Sequence, residues 1–277
     1  MGLTVNTNVA ALNSISNLNM TQGHLSKSLA RISSGVRITT AADDAAGLGV
    51  AENLAAQTRS LKMAQRNTND GISVVQTAES AASEIANILK RMRELAVQSA
   101  SETLENTERS YVHDEFLALG DEIDRIAAVT EFNGVALASA AGTLSVQVGV
   151  DGTANSRIDV ELFDLSSTAA NMAVDVGNIQ LDTAANAQTA IANIDSAIDH
   201  VNEVRSSFGA SQNRLESAYR QTDNYHLNLK DSESRIRDTD YAYESAQMSK
   251  YQIMQQAGVA VLAQAKTMHA SAAQLIG

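Results

Sequence analysis

No proline, cysteine or tryptophan occurs among the 277 residues, and four Phe and six Tyr bring the aromatic share to only 4%. Without proline, the usual breaker of long helices is missing. Without cysteine, disulfides and thiolate chemistry are excluded. Much of the 44% hydrophobic fraction is alanine. A thick globular core draws its stability from bulkier side chains, whereas small ones suit slender, closely packed helices. Basic excess is also absent: the net charge is -12, which argues against nucleic acid as a partner. No apolar run reaches 18 residues, so no membrane insertion is expected. The stretch from Met1 to Ser26 carries no charged side chain and lacks the basic region and apolar block of a signal peptide. Composition alone therefore points to a soluble, cytosolic chain.

What is present is helical periodicity. Ile15, Leu18, Gln22, Leu25, Leu29, Ile32 and Val36 step by three and four, the pattern of one packed seam, and Gly35 is placed to cap it. Asp43 and Asp44 stand where a second helix begins, near its positive end. That helix is expected from about 45 to about 102, with a seam through Leu54, Leu61, Ile72, Val75, Ala78, Ala82, Ile85, Leu89, Met92 and Ala96. At about 1.5 Å per residue it spans roughly 85 Å, a length natural for a fibre or bundle. Val112, Phe116, Leu119, Ile123 and Ile126 mark a third helix, which Asn133-Gly134 ends with a turn signal.

The period then changes. Leu144, Val146, Val148 and Val150 alternate with smaller or polar residues, as do Ile158, Val160 and Leu162, and turn formers at 151–156 separate them. This predicts a β-hairpin with one apolar face. Residues 164–183 show no firm period. From 184 on helix returns, with a charge-dense break at Arg235 to Asp240. The expected fold is mainly α: a long antiparallel coiled-coil or bundle rod with a small β-hairpin insertion. Its two chain ends pair because neither buries its seam alone. Seams that continue into both ends, where domains usually fray, point to self-assembly over a monomeric bundle.

Candidate chemistry is thin. His24, His113, His200, His226 and His269 form no His-x-x-x-His pair, so no metal site is expected. Glu122 with Arg125, and Glu105 with Arg109, read as helix-face ion pairs. Gly142, Gly149 and Gly152 form no nucleotide loop, and no catalytic residue and no cofactor are expected. Lys90-Arg91-Met92-Arg93-Glu94 is the densest basic spot, an exposed helix face or a protein contact.

Several stretches resemble the bacterial flagellin family. They are Asn6-Thr7-Asn8, the run from Arg31 to Ile38, Asp43-Asp44-Ala45-Ala46-Gly47, Arg66 to Ser73, Arg93 to Gln98 and Glu131-Phe132-Asn133-Gly134. Toward the other end they are Gly209 to Arg214, Ser234 to Tyr241, Gln255-Gln256-Ala257-Gly258 and Val261 to Ala265. The resemblance implies a secreted structural subunit of the extracellular flagellar filament, serving motility and assembling helically with copies of itself. It overrides the cytosolic expectation, because flagellins leave through the flagellar export apparatus without a cleaved signal. The alternative within the flagellum is a hook–filament junction protein, which shares similar terminal helices.

The resemblance further implies a division of labour. Residues 1–44 and 236–277 would form the terminal assembly domain of the filament core. Residues 45–139 and 184–235 would form a helical bundle, and 140–183 its hairpin and loop, with no large outer domain. Assembly is expected to involve Leu18, Leu25, Leu29, Ile32, Ile253, Val261 and Leu262. Besides the homopolymer, the implied partners are the export apparatus, an export chaperone holding Ile253 to Leu275, and filament cap and hook-junction proteins. A host innate immune receptor would contact Arg91, Leu95 and Glu115.

Overall fold

The computed structural model describes residues 7–169, 172 and 179–274, with side chains in its helices through Met268. Five helices dominate: α1 (Val9–Ser34), α2 (Ala45–Ser99), α3 (Asn106–Val129), α4 (Ala184–Arg237) and α5 (Tyr241–Gln274). Two antiparallel strand pairs complete the described fold: β1 (Glu131–Phe132) with β2 (Val135–Ala136), and β3 (Gly142–Gln147) with β4 (Arg157–Leu162). The mainly helical class expected from composition is the class found.

Helix ends follow their polar residues. Asn8 accepts from the Ala11 N–H at 2.9 Å, Asp44 from Gly47 at 2.8 Å, and Asp240 from Ala242 and Tyr243 at 2.9 and 3.1 Å. Each satisfies donors that the first helical turn leaves open. Gly35 ends α1 at φ 75°, a left-handed conformation that a side chain disfavours, and its N–H donates to Arg31 O. Asn133 and Gly134 stand at φ 50° and 79° between β1 and β2. They form the tight turn of a small hairpin and do not end the third helix, which stops at Val129 with Thr130 as its cap.

Contacts gather the chain into two units, Met1–Thr58 with Asn228–Gly277, and Arg59–Leu227. In the second, α2 and α4 run antiparallel, as the ladder Arg93–Asp195, Glu79–Arg205 and Gln65–Asp223 shows. Its core brings together Ile85, Leu89, Met92 and Leu95 of α2, Phe116 and Ile123 of α3, and Ile194 and Phe208 of α4. Each such side chain contributes roughly 1.5–3 kcal/mol by leaving water. The hairpin lays Val146 and Ile158, which are cross-strand partners, onto the same core. Gly71 permits this approach: a Cβ there would meet both methyls of Val146 at 3.0 Å.

Arg109 departs from expectation. It pairs with no Glu105; instead it is buried and donates to Ser99 O at 3.0 Å, Ser101 O at 2.7 Å and Asn106 Oδ1 at 3.3 Å. The carbonyls left free by the turn between α2 and α3 outcompete the exposed carboxylate, because a buried acceptor without a donor is costly. Glu105 closes a capping box with Glu108. The Glu122–Arg125 pair forms at 2.7 Å.

Candidate assembly and contact surfaces

The first unit is built on α1 and α5. Their contacts run in opposite directions along the two helices: Asn8 Nδ2 to Ala265 O, Leu18 beside Gly258, Gln22 with Gln255, His24 stacked on Tyr251 at 5.2 Å, and Arg31 with Glu244 at 3.7 Å. The pair is therefore antiparallel. A short clasp closes one end. Val36 bridges Asp238, the Arg37 N–H donates to Arg237 O at 2.6 Å, and the Thr239 N–H donates to Gly35 O at 3.0 Å.

The residues turned inward on α1 are Ala11, Thr21, Leu25 and Ser28, with Leu18 and Ile32 half-buried. On α5 they are Glu244, with Met248, Tyr251, Gly258, Leu262 and Ala265 half-buried. Small and polar groups thus share the seam with a few large apolar ones, and other large apolar side chains lie outside it. Among the seven expected assembly residues, Leu25 is 7% exposed, whereas Leu29, Ile253 and Val261 are 48%, 66% and 56% exposed. Leu12, Ile15, Met20, Met254 and Val259 join them outside. The periodicity that runs through Ile15 and Leu29 therefore tracks an outward face, while the pairing face lies beside it. Leu275, the far limit of the expected chaperone segment, lies outside the described residues, as do Met1 to Asn6.

On the second unit, Arg91 holds Glu115 at 2.8 Å and Glu94 at 3.0 Å. Those contacts raise the Arg91 pKa, with the hydrogen bond to Glu115 as the largest cause. Arg91 and Glu115 are exposed, and Leu95 is 1% exposed, packed in the core beneath them. The two charged groups are thus presented together, and Leu95 supports them without reaching solvent.

Among the described residues no group of three His, Cys, Asp or Glu stands close enough to hold a metal ion. His24 and His200 are engaged in ring contacts, the latter edge-on to Phe163. Among the described residues no helix is long and apolar enough to cross a membrane.

Residues 5–143 match the bacterial flagellin N-terminal helical region, and residues 191–276 match the bacterial flagellin C-terminal helical region. The chain belongs to the bacterial flagellins. It is 41% identical over 273 residues to the flagellin of Halalkalibacterium halodurans, covering 98% of this chain and 99% of that protein. Flagellin B of Vibrio anguillarum is 33% identical over an alignment of 376 positions spanning all of both chains. About a hundred of those positions have no counterpart among the 277 residues here, so this is a short flagellin. A protein described as a flagellar hook-associated protein from Vibrio parahaemolyticus shares the fold alone, at 16% identity and TM-score 0.59, over 71% of this chain and all of that one. As a flagellin, the chain is a structural, non-enzymatic subunit of the extracellular flagellar filament and serves motility.

Proposed function

We propose that copies assemble through the outward faces of α1 and α5, with residues 1–44 and 236–277 forming the filament core. Leu18, Leu25, Ile32 and Leu262 hold the two helices to each other, and Leu29, Ile253 and Val261 meet neighbouring copies. The supporting observation is that a second set of large side chains, Leu12, Ile15, Leu29, Ile253, Val259 and Val261 among them, lies exposed outside the pairing seam. Contiguous exposed apolar surface marks a binding face, and covering each of these side chains is worth up to about 1.5–3 kcal/mol. Residues 45–139 and 184–235 serve as the surrounding bundle, with 140–183 its hairpin and loop.

The same exposed α5 face suits capture by an export chaperone along Ile253 to Leu275 before release to the export apparatus. Once assembled, cap and hook-junction proteins meet the two ends of the polymer. A host innate immune receptor reads the paired charges of Arg91 and Glu115, with Leu95 fixing the backbone behind them.

Extension of sheared filament seeds by an Ile253→Asp/Val261→Asp variant tests the assembly assignment. Both side chains are exposed, so helix content stays at the wild-type level while extension stops. Growth at the wild-type rate overturns the assignment.

A further inference from the structure

Arg59, Lys62 and Arg66 step by three and four along α2 and so share one face. All three are exposed, and none has a carboxylate partner among the described residues. Elsewhere on the same unit Arg91, Arg93, Arg125 and Arg205 each hold a carboxylate at 2.6 to 3.0 Å, whereas these three stand free of described carboxylates on one face. Helix α3 leaves the stretch uncovered. It ends at Val129, which with Ile126 lines a groove against Ser73 and Thr77 of α2, and the basic stretch lies about two to four turns beyond.

A matching face exists on α3. Asp114, Ala118 and Asp121 step by four and three, all exposed, and neither aspartate has a cationic partner among the described residues. The aspartates are seven residues apart, about 10.5 Å along a helix, which is also the spacing of Arg59 and Arg66. Laid antiparallel, the two faces set Arg59 against Asp121 and Arg66 against Asp114. Lys62 then falls opposite Ala118, whose single methyl leaves room for the lysine stem.

We propose that the α3 face of one copy docks on the α2 stripe of another within the filament. The occupant is a second copy because complementary charge at equal spacing is carried by the chain itself. The contact is heterologous, so it propagates through an open array and does not close a dimer. Exposed ion pairs are individually weak, and their role here is register and encounter rate between subunits that otherwise repel. The inference rests on filament assembly and is independent of the role given to α1 and α5.

Two charge-reversed variants test it: Arg59→Glu/Lys62→Glu/Arg66→Glu, and Asp114→Lys/Asp121→Lys. All five positions are exposed, and circular dichroism checks that both variants keep wild-type helix content. Each alone is expected to extend seeds about tenfold more slowly than wild type. Their equimolar mixture is expected to recover to within about threefold, because each supplies the face the other has inverted. Either variant extending alone at the wild-type rate, or a mixture no faster than its components, overturns the contact. Wild-type protein on the same seeds is the reference: its failure would overturn assembly itself along with this contact.

Discussion

The guanidinium of Arg91 reaches Glu115 through two nitrogens, Nη2 at 2.8 Å and Nε at 3.1 Å, both on the same carboxylate oxygen. The two residues are 24 positions apart and join α2 to α3 at the surface. Reversing Arg91 alone crowds three carboxylates together, with Glu94 the third. Reversing both restores an attractive pair while inverting what a partner meets. Arg91→Glu should therefore lower the melting temperature, and Arg91→Glu/Glu115→Arg should recover most of it while receptor signalling in a reporter cell line falls. Undiminished signalling from the double variant would remove this pair from the proposed receptor contact.

Along the described seam between α1 and α5, Ala11 and Leu25 are the apolar residues fully buried, while Leu18, Ile32 and Leu262 are half-buried beside Thr21, Ser28, Gly258 and Ala265. Little apolar burial means a low cost of local opening. In the free subunit, the amides of Leu18 and Leu262 should exchange on the order of 100-fold faster than those of Ile85 and Phe208, and polymerisation should slow them. Mass-spectrometric exchange on monomer and filament reads both. Equal protection of all four in the monomer would show that the pair is already as stable as the bundle.

Arg109 satisfies two turn carbonyls and one side-chain oxygen from a buried position. Its loss leaves those acceptors without donors. Arg109→Ala should cost about 2–3 kcal/mol in urea unfolding, and Arg109→Lys should recover less than half, since one ammonium cannot span the same fork. A loss below about 0.5 kcal/mol would show that water replaces the guanidinium freely.

Asp43 accepts from Lys27 at 2.5 Å and from Thr39 and Thr40, and these contacts hold its carboxyl well below the usual carboxylate range, Lys27 being the largest cause. A folded pKa below the unfolded one, near 3.9, means the stabilisation is fully present above that value. It is lost as pH falls from there toward the folded pKa. The melting-temperature gap between wild type and Asp43→Asn should stay constant from about pH 7 to 5 and narrow below about pH 4. Calorimetry at stepped pH measures it, and a gap that widens on acidification contradicts this account.

Where bulky residues carry the pattern, sequence and structure agree closely. The seam from Val75 to Ala96, the α3 series from Val112 to Ile126 and the alternation of Ile158, Val160 and Leu162 all point into the core. The terminal helices are different. A search for large apolar side chains finds both faces at once: Leu18, Leu25, Ile32 and Leu262 turn inward and Ile15, Leu29, Ile253 and Val261 outward, and the small and polar seam members that separate the two carry no hydropathy signal. The hairpin around Asn133-Gly134 has strands of two residues, too short for alternation to register. The Glu105–Arg109 spacing points to an ion pair that does not form, because spacing of four along a helix is local information and the acceptors of Arg109 belong to the preceding turn. The pairing of Arg91 with Glu115 has no periodic signature: the basic run at 90–94 marks Arg91, and the family resemblance alone links it to Glu115.

The clasp joining Val36 to Asp238 has a kinetic consequence. Because both helices leave it from one tethered point, separation starts at the Asn8 and Ala265 end and runs one way, like a zipper with its slider fixed. On the proposed assembly route, a subunit arriving at a growing tip would have one end of the pair in register already, and ordering the rest would be a directional closure along a preset track, with no search for alignment.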